Sequence, residues 1–381
     1  MRRVKDPVSG LPAHARKCRA VHARQPVPFH RMATLRPEWS AGPRPLLTVL
    51  AAVIAFTLMA SVLLVATVLI LALAPGVNIA LGVTSGDPTS PLDVGLALAM
   101  GALWLPAGIV AVRVGGWRPL GTAGSVAAKI RRRLLGSSAL GVVLAGLGVV
   151  SLAAAAGAIV AAVLGTGDGT GLETGSEDSS TGLAVLRRAA VVVIALVLAP
   201  LQAIGMELSM RAVPMQAVGS RWRSPLLAIA AATLLALVAR ELSAAVLIPA
   251  LTLACCAAVL AWKSGGLELP VLLTGTVTLV SVVLAAVLSG VGAIGSGAAA
   301  GASALVAASA APGTSNAALP SAVAASDVLG SAALAGGIAG AGGLIVVTVV
   351  LARVIGTRSS VRALQPVGRD CHAPVPEPVA V

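Results

Sequence analysis

Eight long apolar runs constrain what this chain can become. They lie near 46–74, 91–112, 134–164, 189–205, 225–239, 244–262, 269–289 and 328–352. At a rise of about 1.5 Å per residue, each is read as long enough to cross an apolar layer of roughly 30 Å. The expectation is an all-α, polytopic integral membrane helix bundle of about eight transmembrane helices. Composition points the same way, because 57% of the residues are hydrophobic and only 11% are charged. Arginine far outnumbers lysine, tyrosine is absent, and Ala, Val, Leu and Gly dominate, the usage of a high-GC bacterium.

The net charge of +13 would suggest nucleic acid in a soluble protein. Here the basic residues sit in the tails and between the apolar runs, so they read as a topology signal, and no nucleic acid is expected. The N-terminal tail is rich in Lys and Arg, and the second connection carries Arg113, Arg118, Lys129 and Arg131-Arg132-Arg133. Arg221 and Arg223, Lys263, and the C-terminal Arg353, Arg358, Arg362 and Arg369 follow in the correct alternation for eight spans. The opposite loops hold Asp87 and the acidic set Asp168, Glu173, Glu177 and Asp178. This pattern predicts a multi-pass protein of the bacterial plasma membrane with cytoplasmic N- and C-termini. Arg187 and Arg188 fall on the wrong side, and snorkelling toward headgroups and the acidic loop accounts for them.

The organisation expected is a basic, disordered cytoplasmic tail over 1–44 and a membrane domain over 45–289. After it come a Gly/Ala/Ser-rich external loop over 290–327 with a re-entrant alternative, a last span over 328–352, and a cytoplasmic tail over 353–381. Met32 offers a second plausible start. All four histidines, His14, His22, His30 and His372, lie in the tails. His14, Cys18 and His22 would share a helix face as soft-metal ligands, but a disordered basic tail lying on membrane lipid outweighs that reading. Neither a metal nor a cofactor is expected. Cys255 and Cys256 read as small apolar residues and Cys18 and Cys371 as lone tail cysteines, with no disulfide framework. The glycines at 336–343 support close helix packing.

Ionisable residues inside an apolar run are functional candidates by default. Glu207 and Arg211 stand four residues apart within Pro200-Leu-Gln-Ala-Ile-Gly-Met-Glu-Leu-Ser-Met-Arg211, a spacing at which they pair on one helix face. Structural pairing is the first reading, ligand or peptide binding the second, and residual catalysis the last. Glu241, beside Arg240, reads as capping solvent near the outer face, at the wrong depth for a base.

The block 189–289 resembles the core of the CPBP family, the CAAX-protease and bacteriocin-processing intramembrane endopeptidases, in its actinobacterial form. That family carries a helix like Pro-Leu-Gln-Ala-x-Gly-Glu-Glu-x-x-x-Arg-Gly, and the frame here matches with Met206 in place of the first glutamate. A family-like Trp222-Arg-Ser-Pro225 precedes a helix expected to end in Phe-x-x-x-His, where this chain has Ala239. Ser264-Gly-Gly-Leu267 precedes a helix expected to carry His-x-x-x-Asn, where this chain has Thr274 and Thr278. Leu103-Trp-Leu-Pro106 and Gly121-Thr-Ala-Gly124 look like the family's N-terminal region. The resemblance covers most of 91–289.

Hydrolysing a peptide bond in a bilayer needs a base for water and donors for the oxyanion. The resemblance implies that Met206, Ala239, Thr274 and Thr278 occupy positions that supply this chemistry in the family, leaving Glu207 and Arg211 as the surviving set. The expectation is a pseudoenzyme, a membrane-embedded binding or regulatory protein whose partners are lipids and a membrane peptide or partner helix. The alternatives are an active endopeptidase using Glu207 and a small-solute transporter.

Overall fold

The computed structural model describes residues 26–73, 87–117, 119–165, 181–238, 240–289, 291–310, 327–362 and 365–369. His14, Cys18, His22, Ala239, Cys371, His372 and the acidic loop at 168–178 lie outside the described residues.

Among the described residues, eight helices are long and apolar enough to cross a membrane, so the chain is an all-α, multi-pass membrane bundle. In order, the elements are β1 (Val27–Pro28), a 3-10 turn (Phe29–Leu35), α1 (Pro37–Ser40), α2 (Arg44–Ala72), α3 (Pro91–Ala102) and α4 (Trp104–Val114). They continue with α5 (Gly121–Gly124), α6 (Arg132–Gly165), α7 (Thr181–Met206), a π segment (Glu207–Ala212) and α8 (Val213–Arg221). The last are α9 (Pro225–Leu237), α10 (Ala244–Ser264), α11 (Glu268–Leu288), α12 (Gly292–Ser309), α13 (Asp327–Arg358) and β2 (Gly368–Arg369). Leu46, Leu58, Val62, Val65 and Leu69 of α2 are each more than half exposed, an apolar face that hydrocarbon, not water, accommodates. α2 is fixed to the bundle by Phe56, whose ring stacks on Trp104 of α4 at 3.9 Å between centroids.

Two elements depart from the expected spans. The run at 225–239 becomes α9, which has 13 residues and so reaches only about 20 Å, short of a crossing. The stretch 290–327, expected as a loop, instead contains α12, which packs against α6, α10, α11 and α13. Its small residues make this possible: a Cβ at Gly297 or Gly301 would strike the backbone of Gly157 or Ala153, and one at Gly336 the backbone of Gly301. Three helices thus approach at backbone distance, gaining dispersion contacts that larger residues would prevent. By length and composition alone, eight helices among the described residues qualify as spans, α12 among them and α9 not.

The other correction concerns the tail expected to be disordered. Within 1–44, Phe29, His30, Met32, Ala33 and Trp39 are buried, and Phe29 and Met32 join a cluster with Ala212, Met215, Ala228 and Ala258. These few apolar residues cover the end of the bundle where α8 and α10 finish. β1 pairs antiparallel with β2, Val27 opposite Arg369, so the first and last described segments meet at one end. Lys263 secures the closure by donating to the carbonyls of Arg362 and Gln365 at 2.7 and 2.6 Å. At the opposite end, Arg188 donates to the Ser289 carbonyl at 3.1 Å, where the negative end of α11's dipole favours a cation.

Candidate functional site

The π segment is a local consequence of proline. Pro214 has no N–H to return to the carbonyl four residues before it, which disfavours ordinary α register just upstream. The chain widens instead, and the Val213 N–H donates to the Leu208 carbonyl, five residues back. Single-turn π insertions are frequent at functional sites because they turn side chains away from α register. Here the widened turn begins with Glu207 and holds Arg211, both of which face inward.

Glu207 is fully buried and Arg211 is 3% exposed. Thr274 of α11 donates its hydroxyl to Glu207 Oε1 at 2.8 Å, while Arg211 Nη1 stands 3.6 Å from the same oxygen. That separation is an ion pair without a hydrogen bond. Glu207 Oε2 and the Arg211 Nε and Nη1 groups have no hydrogen-bond partner. Thr278, one turn along α11, donates to the Thr274 carbonyl at 2.8 Å, so its hydroxyl is committed to its own helix. Ser209 donates to the Trp104 carbonyl at 2.6 Å, tying the π segment to α4. Met206 is buried with Trp104 and Met210 in the adjoining apolar cluster.

Sequence reasoning missed the third charge. Arg240, beside the Glu241 read as capping solvent, is itself only 8% exposed. Its Nε donates to the Ala236 carbonyl at 3.1 Å and its Nη1 to the Ala307 carbonyl of α12. Gln202 donates to the Ser309 carbonyl at 2.9 Å. α12 therefore ends inside the bundle, its orphan carbonyls met by a cation and an amide. Arg240 stands close enough to Arg211 for the two charges to interact, while Glu207 pairs with Arg211. A basic residue at the end of a short apolar run was the available signal.

The structure thus gathers Glu207, Arg211, Thr274 and Thr278, with Met206 alongside, and adds Gln202 and Arg240. Comparison with family models, curated proteins and solved structures gave no match. What the fold and site define is a class: a multi-pass, all-α membrane protein with a charged cluster buried at mid-bundle.

Proposed function

We propose that the protein is a membrane-embedded binding or regulatory protein with a CPBP-like core that does not hydrolyse peptide bonds. The observation that carries this reading is the state of Glu207. Its Oε1 is held by Thr274 and faces Arg211, and neither threonine nor methionine beside it can serve as a general base. What remains is recognition. The unpartnered, buried N–H groups of Arg211 suit a carbonyl or carboxylate of a membrane peptide or partner helix, for which a charged donor is a strong hydrogen-bonding group. Glu207 and Thr274, 67 residues apart in the chain, meet in the fold.

The test uses the purified full chain in liposomes with a panel of membrane-tethered peptides ending in a carboxylate or an amide. Binding without cleavage, lost in Arg211→Ala, is expected. Cleavage abolished by Glu207→Gln would overturn the reading and make Glu207 the base, through its unpartnered Oε2. Absence of both binding and cleavage would leave the cluster as scaffold alone and also overturn it.

The orientation belongs to the same proposal. The end that holds both terminal segments also holds Arg221, Arg223 and Arg358 and the loop with Lys129, Arg132 and Arg133, through contacts of His30 with Arg223, Arg221 with Gly42, Arg358 with Ser137 and Arg369 with Val126; by the positive-inside rule it faces the cytoplasm of a bacterial plasma membrane. Labelling of a cysteine placed at Arg133 by an impermeant thiol reagent is expected only after the cytoplasmic face is opened.

A further inference from the structure

The loop between α4 and α6 carries more positive charge than its contacts use. Arg131 is committed: Nε and Nη2 grip the Glu268 carboxylate at 3.0 and 2.7 Å, and Nη1 donates to the Ser264 carbonyl at 2.6 Å. This two-pronged bond fixes the start of α6 against the start of α11. Lys129, Arg132 and Arg133 flank it, all exposed, and none takes part in an ion pair among the described residues.

Directly beside these three charges lies an apolar cleft of about 440 Å³. Ile204 and Leu208 form one wall, Val271 and Leu272 another, and Gly124 lies in its lining. Lys129 and Ile130 belong both to this cleft and to the basic hollow formed with Arg131, Arg132 and Arg133. Ile130 is 70% exposed between charged neighbours, a placement that suits contact with hydrocarbon better than with water. Apolar walls thus run into the first turns of α11 and along α7, and unpaired cations stand at the mouth, where the spans begin.

The geometry points to a binding site for an anionic phospholipid, with an acyl chain in the cleft and the headgroup phosphate on Lys129, Arg132 and Arg133. Charge complementarity selects the occupant: a zwitterionic lipid would leave the net positive mouth uncompensated, and a free anion would leave the apolar walls empty. The Arg131–Glu268 clamp holds the two sides of the site in place and contributes no net charge. Glu207, Arg211 and Thr274 do not line the cleft, and lipid binding there does not depend on the binding role given to them.

Native mass spectrometry of the full chain, released from micelles with equal phosphatidylglycerol and phosphatidylcholine of matched chains, tests this. Preferential retention of phosphatidylglycerol is expected. The triple variant Lys129→Gln, Arg132→Gln, Arg133→Gln should lose it by about a hundredfold, from the energy of three basic groups near an anionic headgroup. Arg132→Lys with Arg133→Lys should retain it. Gly124→Leu fills the cleft where an added Cβ meets nothing within 4 Å, and should abolish retention with every charge in place. Unchanged elution and helicity of each variant confirm folding. Equal retention of the two lipids, undiminished retention by Gly124→Leu, or displacement of the lipid by inorganic phosphate at equal concentration would each overturn the assignment.

Discussion

Thr274 donates a hydroxyl hydrogen bond of 2.8 Å to Glu207, on the side of the carboxyl that also faces Arg211. This one bond joins the π segment to α11 at the centre of the bundle. It also sets the direction of the energetics, since Glu207 is the carboxyl that Arg211 pairs with among the described residues.

Replacing Glu207 with Gln should therefore destabilise the protein by about 3–5 kcal/mol, the cost of leaving a buried partner charge unopposed. Adding Arg211→Leu should restore much of the loss, because the two sites act on one interaction. Unfolding midpoints of the two single variants and the double variant in micelles check this. Additive losses would show that the pair does not couple.

Arg240→Met leaves the Ala307 carbonyl without its donor in a buried position. The expected cost is roughly 1–3 kcal/mol, concentrated in the last turn of α12. Hydrogen exchange in Val306–Ser309 should accelerate while α11 stays protected.

Glycine substitutions should separate packing from tolerance. Gly301→Leu drives a side chain into the Ala153 backbone and should prevent assembly of α6, α12 and α13. Gly148→Ala meets nothing within 4 Å and should be neutral or mildly stabilising. Expression and monodispersity of the two variants report the difference.

His30 makes the terminal closure sensitive to pH. Burial pushes its pKa below the ordinary value of 6.5, and the charge of Arg31 lowers it further against the opposing contact with the Arg223 carbonyl. The folded chain binds this proton less readily than the unfolded chain does. The contribution of neutral His30 is thus complete above about pH 6.5 and is lost as the pH falls through the folded value. The melting temperature of wild type should drop more steeply than that of His30→Gln between about pH 7.5 and 5; parallel curves would exclude His30 as the cause.

Hydropathy reveals spans that face lipid and misjudges those that face protein. α9 is apolar but for Thr233 and ends before Arg240, so its composition promised a crossing that its length does not make. α12 hides the opposite way: Gly, Ala and Ser lower its hydropathy, yet these residues are what bury it against Gly157 and Gly336. In the tail, Phe29, Met32 and Ala33 carried an i, i+3, i+4 spacing among prolines and arginines, too brief to stand out as a helix. Glu207 and Arg211 were legible because a charge inside an apolar run has few explanations. Gln202 and Arg240 were not, since their partners are carbonyls at the end of a helix that hydropathy did not show.

The pairing of Val27 with Arg369 carries a consequence for biogenesis. A ribosome delivers Val27 well before Arg369, so this strand pair forms only after every span between the two has been synthesised. Until then Phe29, His30 and Met32 have the end of α8 to rest on but no second strand to hold them there. The closure thus reports on everything between its strands: a chain truncated before Gly368 would insert its helices and still leave Val27–Pro28 without a partner.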